Sequence, residues 1–499
     1  MITLGIDSGT QSTKCIALDL ESGRIVASAA QAYGLVEGLP PGHLEQEPKV
    51  WLEAVDKTVR ECLQHLGKRK NDVKAIGVSG QQHGFVPLDK KNKVIRPAKL
   101  WCDTSTTEQC AQFEAEFGGP EGLIKLSGNA MPPGYTAPKI LWLKQNEPKN
   151  FKALKTVLLP HDYINFFLTG EKGMEYGDAS GTGLLDIRTK EWCQPLIEFI
   201  DPDLEACLPQ LSSSRRAIGL VTDSLREEWG LAKSPVVSAG GGDNMMGAIG
   251  TGNVQPGMVT VSLGTSGTVY AFSAEPVVDP ECEAAAFCDS TDRWLPLVCT
   301  MNVTVATEQV RKMFNWSHEE FDGHVSATPP GAGGLIFLPY LNGERTPNLP
   351  LGKGLLHGLT PETMSPGYIA RAVMEGVTLG LAYGLNRIRQ LGIQPVEIRL
   401  TGGGSKSAAW RQLCADIFGV PTVCLASSEG AALGAALQAA YACAAAEGAP
   451  TRFRDLAEKH VKVDESTRCK TNDARKEAYT KQIARQSDLT KRLHAAGYL

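Results

Sequence analysis

Ile6-Asp7-Ser8-Gly9-Thr10 and its echo Ser262-Leu263-Gly264-Thr265-Ser266-Gly267 are the stretches from which the fold of this chain can be read. Each follows a short strand pattern with alternate residues apolar, Ile2, Leu4 and Ile6 in the first and Val259 and Val261 in the second. Each runs into Gly and small hydroxyl residues, where backbone N–H groups can approach an anion with no side chain between. Gly9 and Gly264 stand about half of the 499 residues apart. That spacing suggests two related lobes, each with one phosphate grip, facing each other across a nucleotide.

Working outward from the first turn, strands over residues 2–6, 14–19 and 25–29 read as a meander. Trp51, Ala54, Val55, Val59, Cys62 and Leu63 then recur at helical spacing, and an apolar strand follows at 73–78. Strands followed by helices predict an α/β lobe around a central sheet. Further on come a helix at 137–145, a buried strand at 156–159, a helix opened by Pro160 and a strand at 235–239. Glycines between 250 and 257 place a boundary, with residues 1–250 expected to hold sugar and phosphate and residues 251–499 the nucleotide and the C-terminal helices. The second lobe continues with a long helix at 367–391, a strand at 397–401 and a helix after Gly404. From about Lys459 the chain is polar and reads as a terminal surface helix.

The length exceeds what one core holds, since cores stop growing near roughly 250–300 residues. With 42% hydrophobic and 21% charged residues the composition is that of an ordinary globular protein. A formal charge of −5 gives no basic footprint, which argues against a nucleic-acid partner. The 13 Cys form no CxxC pair and have no His-rich partner segment, so free thiols in a reducing compartment are expected rather than a disulfide frame or a zinc site. The chain opens on strand residues rather than on a basic and then apolar leader. The Ala-rich run over 431–449 carries Gln438, Tyr441 and Glu447, which suits a buried helix better than a membrane span. A cytoplasmic location is the expectation.

GxxxxGK[ST] is absent from the sequence, as are the HRD and DFG motifs of protein kinases. Any phosphate grip therefore falls to the two hairpin turns. Asp7, at a strand end, is placed to hold Mg²⁺ through water, and Thr10, Gln11, Ser12 and Lys14 to reach phosphoryl oxygens. Asp243 follows three glycines and precedes Asn244. It is the candidate base for transfer to an alcohol, or else the cap of a helix over 244–250. Gly80-Gln81-Gln82-His83-Gly84 offers hydrogen-bonding side chains of the kind a polyol wants, with a loop histidine as the plain alternative. Trp101 and Asp103 make a second candidate patch, although Trp101 also fits ordinary core. Glu344-Arg345 reads as an ion pair bracing its loop. Gly402, Gly403, Gly404 and Ser407, after a strand, form a turn where backbone could lie against adenine or ribose.

Gly134-Tyr135-Thr136-Ala137-Pro138-Lys139-Ile140-Leu141-Trp142-Leu143-Lys144-Gln145-Asn146 satisfies the first signature of the FGGY carbohydrate kinases, and Gly354 to Glu375 fits the second except at Tyr368. The chain resembles that family across essentially its whole length. The resemblance implies a two-lobed, actin-like ATPase fold built from duplicated ribonuclease-H-like domains. It also implies ATP and Mg²⁺ as cofactors. The subgroup it most resembles implies D-xylulose as acceptor, phosphorylated at O5. Under that resemblance Asp243 is the base and Gln82, His83 and Asn244 meet sugar hydroxyls beside Tyr135. Thr10, Gly264 and Thr265 serve the phosphates, and Gly403 with its neighbours serves the adenosine. Another ketose, a polyol or gluconate is the alternative acceptor, and a silent sugar sensor the alternative role. Partners on this reading are the sugar and MgATP, with a homodimer left open and neither nucleic acid nor membrane.

Overall fold

A computed structural model describes residues 1–449 and 451–499. In the first half, β1 (Ile2–Ser8), β2 (Ser12–Asp19) and β3 (Arg24–Ala32) form an antiparallel meander. β4 (Val73–Gly80) runs parallel to β1. β5 (Ala217–Leu220) forms the far edge, antiparallel to β6 (Val236–Ser238), which itself runs parallel to β4. In the second half, β7 (Met258–Leu263), β8 (Gly267–Ala271) and β9 (Leu297–Thr300) repeat the meander. β10 (Glu397–Thr401) is parallel to β7, β11 (Thr422–Leu425) is parallel to β10, and β12 (Val463–Cys469) closes the edge antiparallel to β11. The orders β3-β2-β1-β4-β6-β5 and β9-β8-β7-β10-β11-β12 share the same pairing sense at every step. The duplication inferred from the two Gly-Thr turns is thus carried by the sheets themselves.

Each sheet has its own core. Ile2, Leu4 and Ile6 of β1 meet Trp51, Val55 and Val59 on helix α1 (Pro48–Leu66), whose apolar residues fall on one face. Val259 and Val261 of β7 meet Val373, Val377 and Leu381 of the long helix α3 (Pro366–Gln390). Pro366 sits in its first turn, where a missing N–H costs nothing. Between the cores, helix α2 (Asp243–Thr251) packs on helix α4 (Gly430–Ala446), the Ala-rich run. Although it comes from the second half of the chain, α4 lies on β1 and β4 of the first sheet. No helix among the described residues is long and apolar enough to cross a membrane.

Two expectations for the C-terminal stretch need correction. Residues 463–469 are not helical but form β12, and helix α5 (Asp473–Ala495) is more than a surface element. Tyr479, Gln482, Gln486 and Thr490 are buried along one side of α5. Tyr479 donates to Glu375 (2.9 Å) and accepts from Arg371 (3.0 Å), both on α3. The docking face is largely polar, which is why apolar spacing does not reveal it.

Candidate active site

β1 and β7 deliver Asp7 and Ser262 to a single cavity of about 1490 Å³ lined from both halves of the chain. Gln82, His83, Trp101, Tyr135, Asp243 and Asn244 share its wall with Gly402 and Gly403. Residues separated by hundreds of positions are brought together there.

Asp243 is the first residue of α2, and Gly242 holds the cap position, so the capping alternative gives way to a carboxylate at the helix mouth. Its Oδ1 accepts from the backbone N (2.8 Å) and Nδ2 (3.0 Å) of Asn244, whose Nδ2 also donates to Gln82 Oε1 (2.7 Å). The positive end of a helix favours a carboxylate. Burial, with the negative charges of Asp7 and Asp178, nevertheless outweighs the Asn244 contacts and pushes its pKa up to about 7. A carboxylate poised near neutrality is suited to taking a proton from a hydroxyl.

His83 adopts a left-handed backbone (φ 59°), a conformation held by Lys139 Nζ (2.8 Å) and Thr136 Oγ1 (3.2 Å) donating to its carbonyl. Lys139 is fully buried, and burial pulls its pKa down to about 7 despite Asp103 and Cys102 nearby. Tyr135 and Phe287 form a cluster with the His83 ring, with centroids at 5.1 and 5.4 Å from it. Trp101 Nε1 donates to Thr10 Oγ1 (3.0 Å), which donates on to Gln81 Oε1 (3.1 Å). The Thr10 hydroxyl is therefore engaged by protein on both sides, and Thr10 does not itself line the cavity.

At the end of β1, Ser79 donates to one oxygen of Asp7 (2.8 Å). Burial raises the Asp7 pKa, with Ser79 and Lys14 pulling against it. Gln11 and Ser12 line a second hollow of about 180 Å³ with Asp7, Lys14 and Glu429. Lys14 Nζ pairs with Glu429 at 2.7 Å, joining the first hairpin to the residue that precedes α4. Gly264 and Thr265 form the tip of the second hairpin, and their carbonyls accept from Thr304 (2.9 Å) and Val303 (3.0 Å). Their neighbours Ser262, Ser266 and Thr268 line the cavity.

Three sequence candidates have other work. Asp103 is sealed in the interior, accepting from Leu44 N (2.9 Å), Ser105 N (3.0 Å) and Lys99 (3.2 Å). His43, Glu45 and Asp103 have the arrangement of a metal cluster, but Lys99 Nζ lies within 3.2 Å of all three and supplies the positive charge. Gly404 is packed against Leu263 and Trp410. Ser407 caps the helix Ala408–Phe418 by accepting from Trp410 N (3.0 Å), and it donates to Asp322 (2.8 Å). Asp103, Gly404 and Ser407 thus shape the walls without lining the cavity.

The expected Glu344–Arg345 ion pair does not form, and only half of that reading holds. Glu344 braces the loop by accepting from Met301 N (2.6 Å) and from Arg345 N (2.9 Å), as expected of a structural acid. The Arg345 guanidinium makes no ion pair among the described residues and instead reaches the cavity, 5.8 Å above the Trp101 ring. It crosses from the second half of the chain to the first. Ser405, Lys406, Arg411, Ser427 and Ser428 line the cavity with Gly402 and Gly403.

Comparison with known proteins fits this geometry. Residues 2–250 match the N-terminal domain of the FGGY family of carbohydrate kinases, and residues 259–443 match its C-terminal domain. The chain is 40% identical to the xylulose kinase of Haemophilus influenzae over 94% of its own length and 95% of that protein's. A xyloylose kinase from Brucella ovis superposes with a TM-score of 0.92 at 30% identity, covering 99% of this chain and 100% of the other. A gluconate kinase from Lactobacillus acidophilus gives 0.90 at 26% identity, over 99% and 98%. With both family domains matched in succession, and with two sheets of one topology lining a shared cavity, the chain belongs to the FGGY family of carbohydrate kinases.

Proposed function

We propose that this protein transfers the γ-phosphoryl group of MgATP to the terminal hydroxyl, O5, of D-xylulose. The observation that carries this reading is Asp243, a carboxylate raised toward neutrality beside Gln82, His83 and Asn244, in the same cavity as the exposed glycine turn at Gly402 and Gly403. D-xylulose is supported as acceptor by the identity to the H. influenzae xylulose kinase along almost the entire chain. Residues 1–250 would hold the sugar and residues 251–499 the nucleotide, in the cytoplasm where both are supplied.

The work of each residue follows from its chemistry. Asp243 accepts the O5 proton as the O5–P bond forms and the bond between the γ-phosphorus and the ADP oxygen breaks. Gln82, Asn244 and His83 fix the sugar by its hydroxyls, with Trp101 and Tyr135 as apolar walls. Thr10 and the tip at Gly264 and Thr265 approach the phosphates from opposite lobes, with Gln11, Ser12 and Lys14 at the entrance. Asp7 has a second oxygen free of hydrogen bonds from the described residues and suits Mg²⁺, which takes one or two carboxylates and keeps its waters. The bound cation would neutralise phosphate charge. Gly402 and Gly403 leave room for adenosine. Closing the lobes excludes the water that would otherwise hydrolyse ATP.

The test is ADP release with MgATP and D-xylulose, D-ribulose, L-ribulose, L-xylulose, glycerol or gluconate. D-xylulose should give the highest kcat/KM, and a higher value for any other acceptor would replace it as the substrate. The same assay carries a pH prediction. Asp243 must be ionised to act, so kcat/KM should rise as pH climbs through about 7 and level off above it. A profile flat down to pH 5.5 would remove Asp243 from the role of base.

A further inference from the structure

Behind the sugar wall lies a buried line of charge, Asp162, His161, Asp178 and His83, whose members are all less than one-tenth exposed. His161 sits between two carboxylates, with Nε2 2.9 Å from Asp162 Oδ1 and Nδ1 3.0 Å from Asp178 Oδ2. Asp162 is itself fixed by accepting from Leu159 N (3.0 Å). The other oxygen of Asp178, Oδ1, and the Nδ1 of His83 are both sealed from solvent, both lack a hydrogen bond, and lie 3.6 Å apart. Buried polar atoms are rarely left unpaired, and catalytic hydrogen bonds are often long before substrate arrives.

Gly181 fixes which way the ring lies. A Cβ at that position would sit 1.9 Å from both Nδ1 and Cε1 of His83, so this edge of the imidazole rests directly on the glycine. Nε2, the opposite nitrogen, is absent from the sealed unpaired atoms and belongs to a residue lining the cavity. Tyr135 and Phe287, their own centroids 6.0 Å apart, both pack against the ring.

We propose that Asp178 is a positioning residue for the sugar site: it holds His83 with its hydrogen on Nδ1, so that Nε2 meets a substrate hydroxyl as an acceptor, and His161 keeps Asp178 ionised and aligned. The inference rests on the proposed sugar site at His83. The charges agree with the geometry. Burial lowers the His83 pKa, with Asp178 acting against it and Lys139 and Arg345 adding to it, so the ring is neutral and has a tautomer to choose. Burial alone would discharge His161, but Asp162 and Asp178 outweigh it and lift its pKa well above the imidazole value. Asp178 is held below the usual carboxylate range because its bond to His161 and the proximity of His83 overcome the cost of burial. A neutral imidazole with one nitrogen committed to a carboxylate can offer the other only as an acceptor.

The decisive measurement is the ¹⁵N spectrum of imidazole-labelled full-length enzyme, with nine histidines to resolve and His83 assigned by the signals lost in His83→Gln. Protonation on Nδ1 in the sugar-free native enzyme is the expected result. Protonation on Nε2 would overturn the proposal without requiring any variant of Asp178 to fold. In Asp178→Asn the His83 tautomer should change, and the KM for the ketose should rise about tenfold or more, the effect of losing one well-placed hydrogen bond. The KM for ATP should stay within twofold. An unchanged tautomer together with an unchanged sugar KM would also overturn the proposal. Because the tautomer is read without substrate, a different preferred acceptor would revise the proposed function and leave this inference standing.

Discussion

Asp243→Asn should lower kcat by about 10²–10⁴-fold, the usual contribution of a positioned general base, while sugar and ATP still bind. The asparagine is close to isosteric with the native side chain. It keeps an oxygen that can accept from Asn244 N and Nδ2, so the Asn244–Gln82 contact at 2.7 Å is preserved. The variant loses only the ability to take a proton. Removing a buried carboxylate next to Asp7 also removes like-charge repulsion, so the folded state should be no less stable than the native one. Sugar binding by calorimetry, thermal unfolding and steady-state ADP release distinguish the outcomes. Turnover within threefold of native would end the assignment of Asp243 as base. Lost turnover accompanied by lost sugar binding would make Asp243 a binding group instead.

How far the sequence could be read depends on the range of the interactions involved. The two hairpins and α3 were legible because alternation, Gly-Thr tips and Pro366 act within a few residues. Gln82, His83 and Asn244 were legible because each lies in a short run of polar residues bounded by strand and glycine. β12 was not, since Val-Asp-Glu-Ser-Thr-Arg-Cys is a polar edge strand held by backbone pairing to β11, and no apolar period marks it. Asp103 and Ser407 misled for a related reason. A polar residue after an aromatic or a glycine turn looks the same whether it faces a ligand or, as here, caps backbone N–H groups. Arg345 reads as a loop brace, and Asp178 was invisible, because the importance of both arises only when distant segments meet. Arg345 crosses the cleft to Trp101, and Asp178 gains its meaning from His83 and His161.

The packing of α2 on α4 supports the second large expectation, that Gly250→Ala damages both stability and catalysis. A Cβ at Gly250 would lie 1.7 Å from the carbonyl oxygen of Gly430, and one at Gly434 would lie 1.8 Å from that of Met246. Carbon–oxygen approaches below 3.0 Å are essentially never seen at Cβ, so the two helices would have to part by more than 1 Å. Both obstructing groups are backbone and neither can swing aside. Beneath them, Gly5 and Gly77 bring α4 equally close to β1 and β4, with built Cβ atoms 1.9 and 2.0 Å from the carbonyls of Ala432 and Ala435. The lobe interface therefore has no slack to absorb the movement. Overpacking of this kind costs about 3 kcal/mol, which corresponds to a fall in Tm of ~6–12 °C for a lobe of this size. Because Asp243 is the first residue of α2, the same displacement moves Asp243, the proposed base, relative to Asp7 on β1. A misplacement of about 1 Å is worth roughly 10²-fold in rate. Gly323, exposed in the helix His318–Ala327 with nothing within 4 Å of its built Cβ, provides the control. Gly323→Ala should stabilise by about 0.5–1 kcal/mol through helix propensity and leave kcat unchanged. If Gly250→Ala melts and turns over like the control, the close glycine packing does not position Asp243.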